Sequence, residues 1–276
     1  MNAADSVKMY FDILRDASRP SNPETTRLAA LRSLRTLSPA MTSSSHQMIP
    51  AFVTLLHFLS DDDYEIRQLA SEITASLLGN SMVSAPVIAS ERLAQMIGET
   101  FDADSLERVL CPIMCFDVRT TLVESLNSEQ VLFAKERENI WRDEICQWEL
   151  YLRILSTCWS RPAKAEAMPF VEWAEKGVSA IREVVDKHED TSLGWGNEVD
   201  LFEAVVKVLM LCKALLNFNC GKGVLDVRLE ELKGALVEKG SHEYWVAKLE
   251  GILQSRGAVG DGGWRSVFKE GESAVV

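Results

Sequence analysis

The chain has 276 residues, a formal net charge of -12, 47% hydrophobic residues and 25% charged residues. That length buries a sizeable core in one elongated array or two small domains, and the balance of apolar and charged residues excludes disorder of the whole chain. An acidic chain is a poor stand-alone binder of RNA or DNA, because phosphates reward basic surfaces, although a local basic patch is compatible with the total.

The amino-terminal MNAADSVKMYFDILRD lacks a basic stretch followed by an apolar run, so no secretory leader is expected. The six cysteines then read as free, mostly buried thiols of a reducing, cytoplasmic setting. Cys111 and Cys115 lie one helical turn apart, with no histidine nearby and no second cysteine pair to complete a zinc site.

Strand signals are almost absent, and helical periodicity runs nearly throughout. A short helix fits 6–16, with Val7, Tyr10, Phe11 and Leu14 on one side. After Pro20 and Pro23 a second helix fits 24–37, its Leu28, Leu31, Leu34 and Leu37 at helical spacing. Pro39 and Thr42-Ser43-Ser44-Ser45 make a loop. A helix over 47–59 is broken by Ser60-Asp61-Asp62-Asp63, short polar residues that satisfy the backbone locally and cap the next helix. That helix covers 64–78, with Ile66, Leu69, Ala70, Ile73 and Leu77 inward and Gly79-Asn80 as its C-cap. Helices are also expected over 104–116, 128–159, 163–187, 197–219, 226–238 and 241–255. A loop is expected from His188 to Gly196, and a flexible tail from Gly257. The best membrane candidate, 199–218, is interrupted by Glu203, Lys207 and Lys213 and reads as a buried helix.

Helix starts near 24, 47, 64 and 85 lie about 20 residues apart, so a pair of helices repeats about every 40, the HEAT/armadillo range. The expected fold is therefore an all-α, HEAT/armadillo-like α-solenoid of stacked antiparallel helix pairs. HEAT-like repeats are expected over 1–127, a helical continuation over 128–256 and the tail over 257–276.

Catalytic chemistry has few carriers here. Of four histidines, His57 sits in an apolar helix and reads as a packed core residue, and His46, His188 and His242 fall at helix ends or in loops. There is no HExxH, no GxSxG elbow and no phosphate loop, and the glycines fall between helices, with no strand–helix turn for a dinucleotide or S-adenosylmethionine. Neither an enzyme nor a bound cofactor or metal is expected. Asp61-Asp62-Asp63 lacks the alternating ligands and central glycine of a calcium loop, so it reads as a turn and cap.

Two surfaces are candidates for contact. Arg27, Arg32 and Arg35 share one helix face, which suits RNA phosphates or an acidic partner, a solvated face being the plainer reading. In Lys135 to Glu149, Glu136, Asn139 and Asp143 recur at three and four residues and line one flank of a helix, a partner-ordering edge or an ordinary salt-bridged surface.

At these residues a family resemblance is specific. LHFLSDDDYEIRQLASEITASLL, Leu56 to Leu78, resembles the carboxy-terminal repeat region of the THADA (thyroid adenoma-associated protein) family, which includes the fungal non-catalytic subunit of a tRNA ribose 2′-O-methyltransferase. LFAKERENIWRDEICQWELYLRIL, Leu132 to Leu155, is similar to the family's downstream pattern, with Leu132, Phe133, Glu136, Asn139, Asp143 and Glu144 in order and Ile140 where leucine is usual. The resemblance spans Pro23 to Leu155. It implies a solenoid that partners an FtsJ-type methyltransferase, which brings S-adenosylmethionine, and helps present the tRNA anticodon loop. Family members are far longer, so the resemblance is to their carboxy-terminal portion, where an end-capping role is expected. Interface or architectural roles are expected of Asp61, Asp62, Asp63 and Arg67, and of Glu136, Asn139, Asp143 and Glu144. The alternative is a HEAT-repeat scaffold of another pathway, tubulin-folding-cofactor-like or transport-type.

Overall fold

The computed structural model describes residues 3–19, 21–37, 46–79, 85–127, 134–161, 167–187, 199–240 and 243–255. In chain order its helices are α1 (Ala3–Ala17), α2 (Glu24–Leu37), α3 (Ile49–Leu59), α4 (Tyr64–Leu77), α5 (Pro86–Thr100) and α6 (Ala103–Met114). They continue as α7 (Val118–Asn127), α8 (Ala134–Trp159), α9 (Met168–Lys187), α10 (Val199–Asn217), α11 (Val224–Glu238) and α12 (Glu243–Gln254). A 3-10 turn, His46–Met48, leads into α3. No strand occurs among the described residues.

The chain forms two compact units. The first comprises Met1–Val109 with Arg153–Cys158, and the second Leu110–Leu152 with Trp159–Val276. In the first, α3 is the central helix and packs against α1, α2, α4 and α5. Its sequence explains this: Ile49, Phe52, Val53, Leu55, Leu56, Phe58 and Leu59 leave almost no polar face, and all are buried. Each such side chain contributes roughly 1.5–3 kcal/mol relative to exposure. Pro50 in its first turn loses no hydrogen bond, because amides there have no partner inside the helix. Gly98 on α5 marks a close crossing, for a Cβ there would lie 2.6 Å from the Ile154 carbonyl oxygen.

In the second unit α9 packs against α7, α10 and α11, and α10 also against α7 and α12. From Phe202 to Asn217, α10 is buried except at Glu203 and Lys207, which are half-buried and ion-paired to each other. That pairing at four-residue spacing makes two charges tolerable in an otherwise apolar helix. Among the described residues no helix is long and apolar enough to cross a membrane.

The expected and observed helices differ most after Ala103. The helix expected over 104–116 ends at Met114, and α7 follows as a separate element. Asp117 makes the break by capping α7: it accepts the Thr120 amide (3.2 Å) and the Thr120 hydroxyl (2.6 Å). The start of the helix expected from 128, the loop from His188 to Gly196 and the tail from Gly257 lie outside the described residues.

Candidate functional site

The turn between α3 and α4 gathers Asp61, Asp62, Asp63 and Arg67, one of the groups of side chains that the sequence singled out. Asp63 is the N-cap of α4 and accepts the amides of Glu65 (2.8 Å) and Ile66 (3.2 Å). Asp61 accepts the Asp63 amide (2.9 Å), which closes the turn. Arg67, one turn into α4, reaches back and donates to the carbonyl oxygens of Asp61 and Asp62, the latter at 2.8 Å. Its guanidinium also stands 5.9 Å from the ring centre of the exposed Tyr64.

Arg27 completes this cluster from α2. Its Nη1 donates to Asp61 (2.5 Å) and to Asp62 (3.0 Å). Arg27 is 7% exposed and Asp61 6%, so this ion pair is removed from water, whereas the Asp62 side chain is largely exposed. The three arginines of α2 are therefore not one surface patch: Arg27 faces inward, and only Arg32 and Arg35 are exposed. The physical reason is burial of a charge, which is tolerated only with a partner, and the aspartate turn is that partner. Burial pushes the Asp61 carboxyl up, to about 6, against the opposing pull of the Asp63 amide and of Arg27. Asp62 is held below the usual carboxylate range by its bond from Arg27. Asp61, Asp63, Arg67 and Arg27 thus hold α2, the turn and α4 together.

Glu136, Asn139, Asp143 and Glu144 lie on α8, but their side chains are outside the described residues, as are Leu132 and Phe133 altogether.

At the α6–α7 junction the structure adds residues that sequence periodicity does not single out. Phe116 meets Trp173 edge-on with ring centres 5.1 Å apart, and Trp148 packs against both. The Trp173 indole N–H donates to the Phe116 carbonyl oxygen at 2.9 Å. Lys207 of α10 stands 5.8 Å from the ring centres of Phe116 and Trp148. Beside these rings a groove of about 580 Å³ opens, its walls including Asp117, Arg119, Lys176 and Glu183. Arg119 of α7 pairs with Glu183 of α9 at 3.5 Å. The sequence signal that finds this place is the aspartate three residues before Thr120, an N-cap spacing that splits the helix just after Phe116.

One grouping has the composition of a hydrolase relay. Ser105 Oγ lies 2.9 Å from His46 Nδ1 and donates to Asp102 Oδ2 at 3.0 Å, and the same Asp102 oxygen lies 3.3 Å from His46 Nδ1. A relay places serine and aspartate on opposite ring nitrogens. Here both meet one nitrogen, and Asp102 accepts the Ser105 amide (2.9 Å) as the cap of α6. His57, at the end of α3, is pushed down to about 4, by burial and then by Arg15, so it stays neutral near pH 7. Among the described residues no three His, Cys, Asp or Glu side chains gather so as to hold a metal ion.

Packed helix pairs joined by aspartate-capped turns define an all-α, armadillo-type repeat protein. Residues 76–257, well over half of the chain, match the family model of the Trm72 ARM-like repeat region. The chain belongs to this family, and with it to the repeat proteins associated with tRNA methyltransferases. The matched span runs from the end of α4 past α12 and contains the block from Leu132 to Leu155, whereas the aspartate turn lies upstream of it. No curated protein and no solved structure matches the chain.

Proposed function

We propose that this chain is a non-catalytic, cytoplasmic scaffold subunit that partners an FtsJ-type methyltransferase in 2′-O-ribose methylation of the tRNA anticodon loop. The observation that carries the reading is the family match over 76–257, which takes in every helix from α5 to α12. In this reading the methyltransferase brings S-adenosylmethionine and the reactive site, and the helical surface fixes enzyme and tRNA relative to each other. A rigid platform lowers the entropic cost of a productive encounter, which is a large share of what catalysis of a two-body reaction needs. The family resemblance assigns contact candidates to Glu136, Asn139, Asp143 and Glu144 on α8. Arg32 and Arg35 are the exposed arginines of α2 and suit phosphate or an acidic partner surface.

The test is capture of an FtsJ-type tRNA methyltransferase from the same cell by the purified chain, with and without tRNA. Retention is expected, and it is expected to drop when Glu136, Asp143 and Glu144 are changed to alanine in a chain that keeps its helical circular dichroism. Binding of S-adenosylmethionine by the isolated chain, or capture of tubulin in place of the methyltransferase, overturns the reading.

A further inference from the structure

We propose that Cys111 and Cys115 form a thiol–disulfide exchange site, a dithiol that a small disulfide oxidant such as oxidised glutathione closes into an intramolecular bridge at the end of α6.

The geometry is the first support. The two sulfurs lie 3.4 Å apart, within reach of an S–H···S contact. The Cys115 amide donates to the Cys111 carbonyl oxygen at 2.8 Å, so the helical turn between them is intact. At that spacing the Cα atoms stand about 6 Å apart, inside the range that a disulfide spans. The pair also sits where a helix yields most easily. α6 ends at Met114, and Pro112, which has no amide to donate, lies between the two cysteines. Both thiols are half-buried and within reach of a small solute, whereas Cys158, Cys212 and Cys220 are buried.

The chemistry divides the two roles. Burial, then the hydrogen bond with Cys111, push the Cys115 thiol up, so Cys115 keeps its proton and Cys111 is the attacking sulfur. The Cys111 thiolate attacks one sulfur of oxidised glutathione, forming a mixed disulfide and releasing one glutathione thiolate, which takes up a proton. Cys115 then loses its proton and attacks the Cys111 sulfur, releasing the second glutathione, which takes up that proton. Two protein thiols are oxidised to one disulfide, and one glutathione disulfide is reduced to two thiols. A bridge between residues four apart on a helix is strained, and strained bridges are readily reduced again.

The bridge has a local reporter. Phe116 follows Cys115 directly, and both its carbonyl and its ring contact Trp173. Moving Cys115 toward Cys111 therefore displaces the group on which the Trp173 indole rests.

The whole chain is incubated with oxidised glutathione, alkylated under denaturing conditions and digested with trypsin. Cleavage after Arg108 and Arg119 isolates Val109 to Arg119, which contains these two cysteines and no other. The expected result is loss of both alkyl groups from this peptide and a mass lower by two hydrogen atoms. Tryptophan fluorescence is expected to shift with the same midpoint, and dithiothreitol to reverse both changes. Cys115→Ser is expected to accumulate a glutathione adduct on Cys111, and Cys111→Ser to leave Cys115 alkylatable. A wild-type peptide that still takes two alkyl groups once the exposed Cys146 carries glutathione overturns the proposal. So does a bridge from either cysteine to Cys146 or to a second chain. If a variant does not fold, the wild-type peptide mass decides alone.

Discussion

Two junctions of this chain begin alike and are finished differently. Between α3 and α4, Asp63 caps the following helix, and between α6 and α7, Asp117 does the same. The first junction is then sealed by a charge: Arg27 arrives from α2 and pairs with the buried Asp61. The second is sealed by rings: Trp173 arrives from α9, meets Phe116 edge-on and donates to its carbonyl. A cap is a local device with a fixed spacing. The cover over it comes from elsewhere in the chain, and it decides how the junction fails. An ion pair out of water fails when either member is lost, because the other becomes an uncompensated buried charge. An aromatic cover has several independent contacts and weakens by degrees.

The largest expected effect comes from the buried pair. Arg27→Ala should cost about 3–5 kcal/mol in urea unfolding of the full chain, because Asp61 remains buried without its cation. The double variant Arg27→Met with Asp61→Leu should recover most of that loss, because it removes both charges and keeps apolar volume. Equal stability of the single and double variants would erase the distinction between the junctions.

A smaller and pH-dependent effect sharpens it. His57 and Asp61 flank the first junction and titrate with opposite sign. The folded value of His57, about 4, lies below its ordinary 6.5, so the unfolded chain binds the extra proton, and this contribution to stability is complete above pH 6.5 and lost as the pH falls to 4. The folded value of Asp61, about 6, lies above its ordinary 3.8, so its contribution is present below pH 3.8 and lost as the pH rises through 6. In wild type the two slopes oppose each other. His57→Gln removes one of them, so its stability relative to wild type should increase as the pH falls from 6.5 to 4, by at most about 1.4 kcal/mol per pH unit. A constant gap across that window would mean that His57 takes up its proton at the same pH in the folded chain as in the unfolded one, and would overturn its downward shift. At the second junction Asp117 is lowered by its bonds from Thr120, so acid acts there with the opposite sign to Asp61 and only below the usual carboxylate range.

The smallest effect belongs to the rings. Trp173→Phe keeps an aromatic cover but leaves the Phe116 carbonyl without its donor. Phe116 is half-buried, so water replaces part of that bond, and the expected cost is about 1 kcal/mol. A loss as large as that of Arg27→Ala would show that the second junction depends on this one side chain as steeply as the first depends on its ion pair.

Legibility in the sequence divides along the same line between local and distant. The leucine spacing of α2, the aspartate turn and its cap, and the buried character of α10 are written within single segments, and the structure reproduces them. Arg27 was legible as one member of an exposed arginine face because periodicity assigns sides to a helix in isolation. It cannot show which side is covered by a residue 34 positions away. The Phe116–Trp173 contact spans 57 positions and left no spacing to read. The break between α6 and α7 did leave one, Asp117 to Thr120, but the apolar run before it reads as continuous helix. The family resemblance rests on motif order between Pro23 and Leu155, and the match to the Trm72 ARM-like repeat region extends it to 257.

The buried pairing of Arg27 with Asp61 has a consequence for descent. Neither position is free to drift by itself, because each single change strands a charge in the interior. Among relatives that keep this turn, positions 27 and 61 should be exchanged together, charged pair for apolar pair, while the exposed Asp62 between the turn and solvent varies on its own.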